Sequence, residues 1–232
     1  MSARTDAEPS ARKITNKKAR VACSGKMILV GNLKGGCGKS TLAFNLAIWL
    51  AERGVNPALV DMDPLRTLSD LVAVREEIGA KPRLAPPSTM LPPRGPQPIL
   101  VDFGAGDLAR IDAVAREADL ALTPVLPSQA DIWATQRYIK LLLAHGKPGA
   151  RIALFVNRAE ARSNARETHE TLAALKSMSD TSHGVTALSE TLGRRVAYCR
   201  SLSEGLGVFE MKGQKKAAKE FGRFAGLVMA LL

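Results

Sequence analysis

The sequence has no run of 18 or more apolar residues, which removes a membrane-spanning helix from consideration. Its 3 cysteines, Cys23, Cys37 and Cys199, have no paired spacing, so neither a disulfide framework nor a zinc site is expected. The 3 histidines, His145, His169 and His183, show no ligand spacing either. Aromatic residues are only 4% of the 232 positions. Trp133, Tyr138, Phe155 and Tyr198 are too dispersed for a base-stacking platform, so core or rim packing is expected of them. The N-terminus lacks the apolar centre of a secretory signal. What is present is an ordinary apolar content, 46%, sufficient for one substantial core and compatible with a reducing cytosol. A formal net charge of +11 points towards a polyanionic partner.

That charge is uneven. Residues 1–26 carry Arg4, Arg12, Lys13, Lys17, Lys18, Arg20 and Lys26 against Asp6 and Glu8, with no apolar periodicity. They read as a basic flexible arm, either a solubilising tail or a nucleic-acid contact. Residues 27–232 read as one domain. Residues 27–31 form the short apolar run of a buried strand; Gly35, Gly36 and Gly38 follow, and apolar residues then recur at helical spacing up to Gly54. Further strands are expected at 57–61, 99–102, 120–124, 152–157 and 185–188, and helices at 65–78, 108–118, 131–144, 161–175, 194–202 and 213–232. On the helix at 131–144, Ile132, Ile139 and Leu143 are expected to face inward and Asp131 to cap the start; Asp107 reads as another helix cap. Seven prolines between Pro82 and Pro98 forbid regular structure, leaving a stiff surface crossover. Wholly apolar strands alternating with helices predict an α/β fold, a mostly parallel sheet covered by helices on both faces. The glycine loop between the first strand and helix makes the expected type that of a P-loop NTPase.

The chemistry concentrates in Lys34-Gly35-Gly36-Cys37-Gly38-Lys39-Ser40-Thr41. Three glycines let the backbone turn so that several N–H groups face one centre, and the helix beginning near Lys39 adds its positive end. Lys39 can reach the β- and γ-phosphates of a nucleotide, and Ser40 can ligate Mg²⁺. An ordinary Walker A loop has glycine where this chain has Leu33, so the pattern is met only in its second half. Lys34 places a second cation at the loop mouth, one more than a single chain's nucleotide needs unless it neutralises phosphate from outside.

With Asp61-Met62-Asp63-Pro64 downstream, this run closely resembles the deviant Walker A ATPases of the ParA/MinD superfamily. Residues 192–210 look like the short partition ATPases that lack an N-terminal DNA-binding domain. The resemblance implies that Lys34 crosses the interface of a nucleotide-sandwich homodimer to the partner's phosphates. It implies that Gly35, Gly36, Cys37, Gly38 and Lys39 cradle ATP or ADP and that Thr41 meets the α-phosphate. Asp63 would position or activate the attacking water, and Ser40, Asp63 and Asp102 would surround Mg²⁺, Asp102 through a coordinated water. Asn157 would recognise the adenine edge, a strand-end cap being its other reading. The chain departs from the family pattern at Leu65, where Gln is frequent, and at Asp102-Phe103-Gly104-Ala105-Gly106-Asp107, where a D-x-P-P turn is frequent. Gly104 and Gly106 still allow a mobile segment beside the γ-phosphate. The implied activity is Mg²⁺-dependent hydrolysis of ATP to ADP and phosphate, weak alone and stimulated by a partner.

Arg162, Arg166, Arg194, Arg195, Lys215 and Lys219 form a candidate DNA-binding surface, a solvated helix face being the plainer alternative. The resemblance implies non-specific DNA binding by the ATP dimer, and no recognition helix or zinc module suggests sequence reading. The expectation is a cytoplasmic, nucleoid-associated ATPase that segregates plasmid or chromosomal cargo. Its partner would be a cargo-bound centromere-binding or adaptor protein that stimulates hydrolysis. Three alternatives stay open: positioning of a protein complex such as conjugation machinery, a metabolic P-loop enzyme, and MinD-like membrane association through the apolar end of the last helix. The width of that helix's stripe favours docking on the sheet over the membrane.

Overall fold

The computed structural model describes residues 23–106, 108–160 and 165–232. Most of the arm expected at 1–26, together with Asp107 and Arg162, therefore lies outside the described residues. The arm's last four positions pack on the domain: Cys23 is buried, and Gly25 N–H and Ser24 Oγ both donate to the Pro96 carbonyl, at 3.0 and 2.8 Å.

The chain runs β1 (Met27–Gly31), α1 (Lys39–Ala51), β2 (Ala58–Asp61), α2 (Thr67–Glu77) and β3 (Ile99–Phe103). A turn of 3-10 helix (Leu108–Arg110) leads into α3 (Ile111–Glu117), followed by β4 (Leu120–Val125), α4 (Gln129–His145), β5 (Arg151–Ala159) and α5 (Arg166–Thr181). β6 (Val185–Ala187), β7 (Leu192–Gly193), α6 (Val196–Ser203) and α7 (Lys215–Ala230) complete it. The sheet order is β2-β3-β1-β4-β5-β6, every pair parallel, and β7 pairs with the far end of β5.

The wholly apolar strands conceal a period of two. Ile28, Val30, Leu100, Leu120, Leu122 and Phe155 face α1, α2, α6 and α7. Met27, Leu29, Val101, Ala121, Leu154 and Val156 face α3, α4 and α5. Both faces of the sheet are thus covered, as the sequence predicts. On α7, Phe221, Phe224, Ala225 and Val228 are fully buried, with the Phe224 ring centroid 4.5 Å from that of Phe155. Burying each such large side chain contributes on the order of 1.5–3 kcal/mol. The stripe that raised the membrane alternative is therefore spent on the core, and no described helix is long and apolar enough to cross a membrane.

Three local expectations change. The proline-rich crossover also protects the sheet edge: Ser88 donates its N–H to Leu59 at 2.9 Å and accepts from Asp61 N–H at 2.8 Å, closing part of β2's open side. Ser128, not Asp131, caps α4; its Oγ accepts from Asp131 N–H at 3.1 Å and donates to the Asp131 carboxylate at 2.5 Å. On the same helix Leu143 is exposed while Tyr138 and Leu142 turn inward with Ile132 and Ile139.

Strand order reverses at β1, with β3 and β2 on one side and β4 to β6 on the other. In open parallel sheets the crevice at such a reversal, at the carboxyl ends of the strands, is where ligands sit. The glycine loop leaves β1 at that point.

Candidate functional site

Between β1 and α1 the chain bends through Gly36 (φ 73°) and Gly38 (φ 96°), left-handed values that exclude most other residues. At Gly35 and Gly36 nothing lies within 4 Å of where a Cβ would stand, so the loop faces open space. Lys39 is buried and curls back, its Nζ donating to the Lys34 carbonyl at 3.0 Å. The Cys37 carbonyl accepts from Asn157 Nδ2 at 2.7 Å, pinning the loop to the end of β5. The Cys37 thiol is buried, and that burial pushes its pKa up, which leaves it inert.

Two cavities flank the loop. One, about 460 Å³, is lined by Gly35, Lys39 and Ser40 of the loop, by Asp63 and Leu65 after β2, and by Ala105 after β3. The other, about 450 Å³ and more apolar, is lined by Thr41, Leu42, Asn157, Leu192, Tyr198 and Phe221. Gly38, Thr41 and Arg158 border both, so the two read as one elongated site with a polar and an apolar end. Lys34 lines neither; it is half-buried on the rim, and its ammonium has no partner among the described residues.

Asp61 organises the segment after β2. One carboxylate oxygen accepts Asp63 N–H at 3.2 Å, and the other accepts Ser69 N–H and Oγ at 2.9 and 2.7 Å. Asp63 in turn holds Leu65 N–H at 2.9 Å, a local turn that presents its carboxylate to the polar cavity. Gly104 touches this segment: a Cβ there would come within 2.9 Å of Asp63 Cα and of Pro64 Cδ. The glycine after the β3 strand is thus required by close approach.

Asp102 is fully buried, and neither of its oxygens has a hydrogen-bond partner among the described residues. Burial pushes its pKa up to about 7; the Ser40 hydroxyl and Lys39 pull it down, and Asp61 and Asp63 push it up. An unpartnered buried carboxylate beside a serine hydroxyl and two further carboxylates is a donor set that fits a hydrated divalent cation.

Of the candidate DNA residues, Arg194 and Lys215 border an open groove of about 540 Å³ between the starts of α6 and α7, together with Arg200 and Lys216. Lys219 is exposed one turn further along α7. Arg195 differs from expectation. Its guanidinium binds Glu220 at 2.6 and 3.0 Å, and the other oxygen of Glu220 accepts Gly193 N–H at 2.9 Å. Arg195 therefore fixes the wall between groove and apolar cavity rather than standing free. Arg166 is exposed and paired with Glu170 one turn on.

Several residues were not singled out for the nucleotide site from sequence. Arg158, in the left-handed region at φ 54°, joins the two cavities, and Leu192 and Tyr198 line the apolar one. Asn32 donates to the Pro124 carbonyl at 2.8 Å and to Thr135 Oγ1 at 3.2 Å, and accepts Lys34 N–H at 3.3 Å. The position of Asn32, next to Gly31 and ahead of the lysine, was the one available signal.

A parallel sheet with a glycine loop at its reversal point, a buried loop lysine and an unpartnered strand-end carboxylate defines a P-loop nucleotide-binding protein. Within that class the chain belongs to the CobQ/CobB/MinD/ParA nucleotide binding domain family, whose model matches residues 28–209. It is 31% identical over 205 residues to "Maintenance of carboxysome distribution protein A" of Halothiobacillus neapolitanus, covering 83% of this chain and 91% of that one. Its fold is similar to that of apo McdA from Cyanothece (TM-score 0.64, 17% identity, 86% of this chain and 98% of the other). It is also similar to that of pNOB8 ParA bound to nonspecific DNA (TM-score 0.60, 17% identity, 85% and 97%). Membership of this family makes the chain a nucleotide-hydrolysing protein of the ParA/MinD type.

Proposed function

We propose that the chain is a positioning ATPase that closes as a homodimer over ATP and whose cargo is a protein assembly. The observation that carries the reading is the division of labour between two lysines of one loop. Lys39 is buried in the cradle, whereas the Lys34 ammonium stays on the rim with no partner among the described residues. A cation so placed serves phosphate held by a second copy, and its desolvation at an interface strengthens the attraction.

In this reading the loop N–H groups and Lys39 bind the β- and γ-phosphates, and Thr41 borders the α-phosphate. Ser40 and Asp102 would hold Mg²⁺, which would supply charge neutralisation along the phosphates. Asp63 orients the attacking water; its carboxylate is released from Leu65 N–H when the segment at residues 63–66 moves. The apolar cavity takes the base. Asn157 serves there chiefly by holding the Cys37 carbonyl, and so positions the loop more than it reads the base edge.

For the cargo, the near full-length relation to a carboxysome-distribution protein supports a protein assembly over a plasmid or chromosome. The free cations Arg194, Lys215 and Lys219 supply non-specific attachment to nucleoid DNA as the surface over which the dimer moves. An adaptor on the assembly stimulates hydrolysis and releases the dimer.

Light scattering with phosphate release tests the chemistry: Asp63→Ala is expected to dimerise on ATP while hydrolysing it at least ~10²-fold more slowly. Purification of that trapped dimer from its native cells tests the cargo. Subunits of one protein assembly are expected with it. Recovery of a site-specific DNA-binding protein with its DNA site would return the reading to segregation.

A further inference from the structure

Helix α4 joins two unlike surfaces. Its inner side grips the root of the glycine loop: Thr135 accepts from Asn32, which holds Lys34 N–H, and the Tyr138 ring packs against Gly31. Its outer side is where the exposed residues collect. Trp133 is 55% exposed and Leu143 49%, and Arg137 and Lys140 lie exposed between them. Positions 133, 137 and 140 share one helix face, with 143 at its flank, over about 15 Å of helix. Neither Arg137 nor Lys140 has an ion pair or hydrogen bond among the described residues.

Two unpaired cations framed by a tryptophan and a leucine make a surface with its own specificity. An exposed tryptophan is costly unless a partner covers it, and Trp and Arg are the residues on which interfaces concentrate their energy. A second copy does not fit, since the stripe would meet cations with cations. Duplex DNA would use the two cations and leave both apolar side chains in water. Carboxylates spaced between apolar side chains satisfy all four residues at once, the pattern of an amphipathic helix laid along a groove or face.

We infer that the outer face of α4 docks an acidic amphipathic segment of a partner protein, through Trp133, Arg137, Lys140 and Leu143. The inference does not depend on the nucleotide reading, because it concerns a surface outside the loop cavities.

The test uses the full chain. Displayed random 16-residue peptides are selected on the wild-type protein and, in parallel, on the Arg137→Glu/Lys140→Glu variant, with thermal melts verifying that both are folded. Enrichment of peptides alternating Asp or Glu with Leu, Ile or Phe on the wild type alone is expected. Such a peptide, synthesised, binds the wild type at least tenfold more tightly than the variant and shifts tryptophan emission to the blue. The shift disappears in Trp133→Ala, since the second tryptophan, Trp49, is buried beneath Arg53. Arg137→Lys/Lys140→Arg retains binding. The inference is overturned if no peptide is enriched, if the enriched peptides lack acidic residues, or if they are indifferent to the charge reversal. It is likewise overturned if single- or double-stranded oligonucleotides reproduce the Trp133 shift with the same charge dependence, which would assign the face to nucleic acid.

Discussion

In the proposed function the glycine loop and the groove between α6 and α7 both present cations to phosphate, and their structures would do so by opposite means. In the loop, backbone N–H groups and a buried lysine are fixed by left-handed glycines and by Asn157. In the groove, Arg194, Lys215 and Lys216 stand at two helix starts that have no side-chain cap, with Arg200 in the last turn of α6. The first arrangement is preorganised and sharp in its demand for one ligand shape. The second offers charge without shape, which suits a polymer of phosphates read without regard to sequence.

The contrast breaks most easily at its preorganised end. Lys39→Ala is expected to lower ATP turnover by ~10²-fold or more, read by phosphate release and by calorimetric titration with ATP and Mg²⁺. Unchanged affinity and turnover would remove the loop from the chemistry. Lys34→Ala retains nucleotide binding but weakens the ATP dimer by roughly 10- to 100-fold, the worth of one charge-assisted contact. Normal dimerisation of that variant would end the two-lysine division.

Arg194 and Arg195 sharpen the comparison, because neighbours of identical type have different tasks. Arg195→Ala leaves Glu220, only 11% exposed, without its cation, and is expected to cost about 2–3 kcal/mol of stability in a denaturant titration. Arg194→Ala or Lys215→Ala leaves the melt unchanged. Each weakens binding a few-fold for unrelated DNA sequences alike and reduces the log–log salt slope by about one. Equal loss of DNA affinity in Arg195→Ala without loss of stability would make the patch continuous.

The smallest effect is far from both sites. Asp119 anchors the base of the sheet: burial raises its pKa, but Lys147, the Met27 N–H and Arg94 outweigh that and leave it lowered. A lowered folded pKa contributes stability above the ordinary carboxylate range and loses it as pH falls through the folded value. Asp119→Asn is therefore expected to cost about 1 kcal/mol at neutral pH and to flatten the acid limb of the stability curve below about pH 4.

What could be read from the sequence followed from the same contrast. The glycine loop with its lysines and the strand and helix around it are encoded by near neighbours, so spacing gives them. Asp63 and Asp102 were reached only through the resemblance to the ParA/MinD superfamily. The tie of Arg195 to Glu220 was not legible because Glu220 lies 25 positions on and belongs to another helix. Asn157 meets Cys37 across 120 positions, so its hold on the loop had no local signature. On α4 the inward leucine is Leu142 and not Leu143, since α4 continues with both in a run of three leucines where periodicity has no contrast. Asp61 stood in the D-x-D-P run, yet its role emerges only when Ser69 folds back onto it.

One wall deserves its thermodynamic reading. Arg194, Arg195 and Val196 border both the apolar cavity and the basic groove, and a single carboxylate on α7 ties that wall in place. On the proposed reading, with a nucleotide base in the cavity and DNA phosphate in the groove, linkage requires that any factor by which one occupant changes the hold on the other be the same in both directions. The track would thus act as an effector of nucleotide retention, and Glu220 would set how strongly each site feels the other.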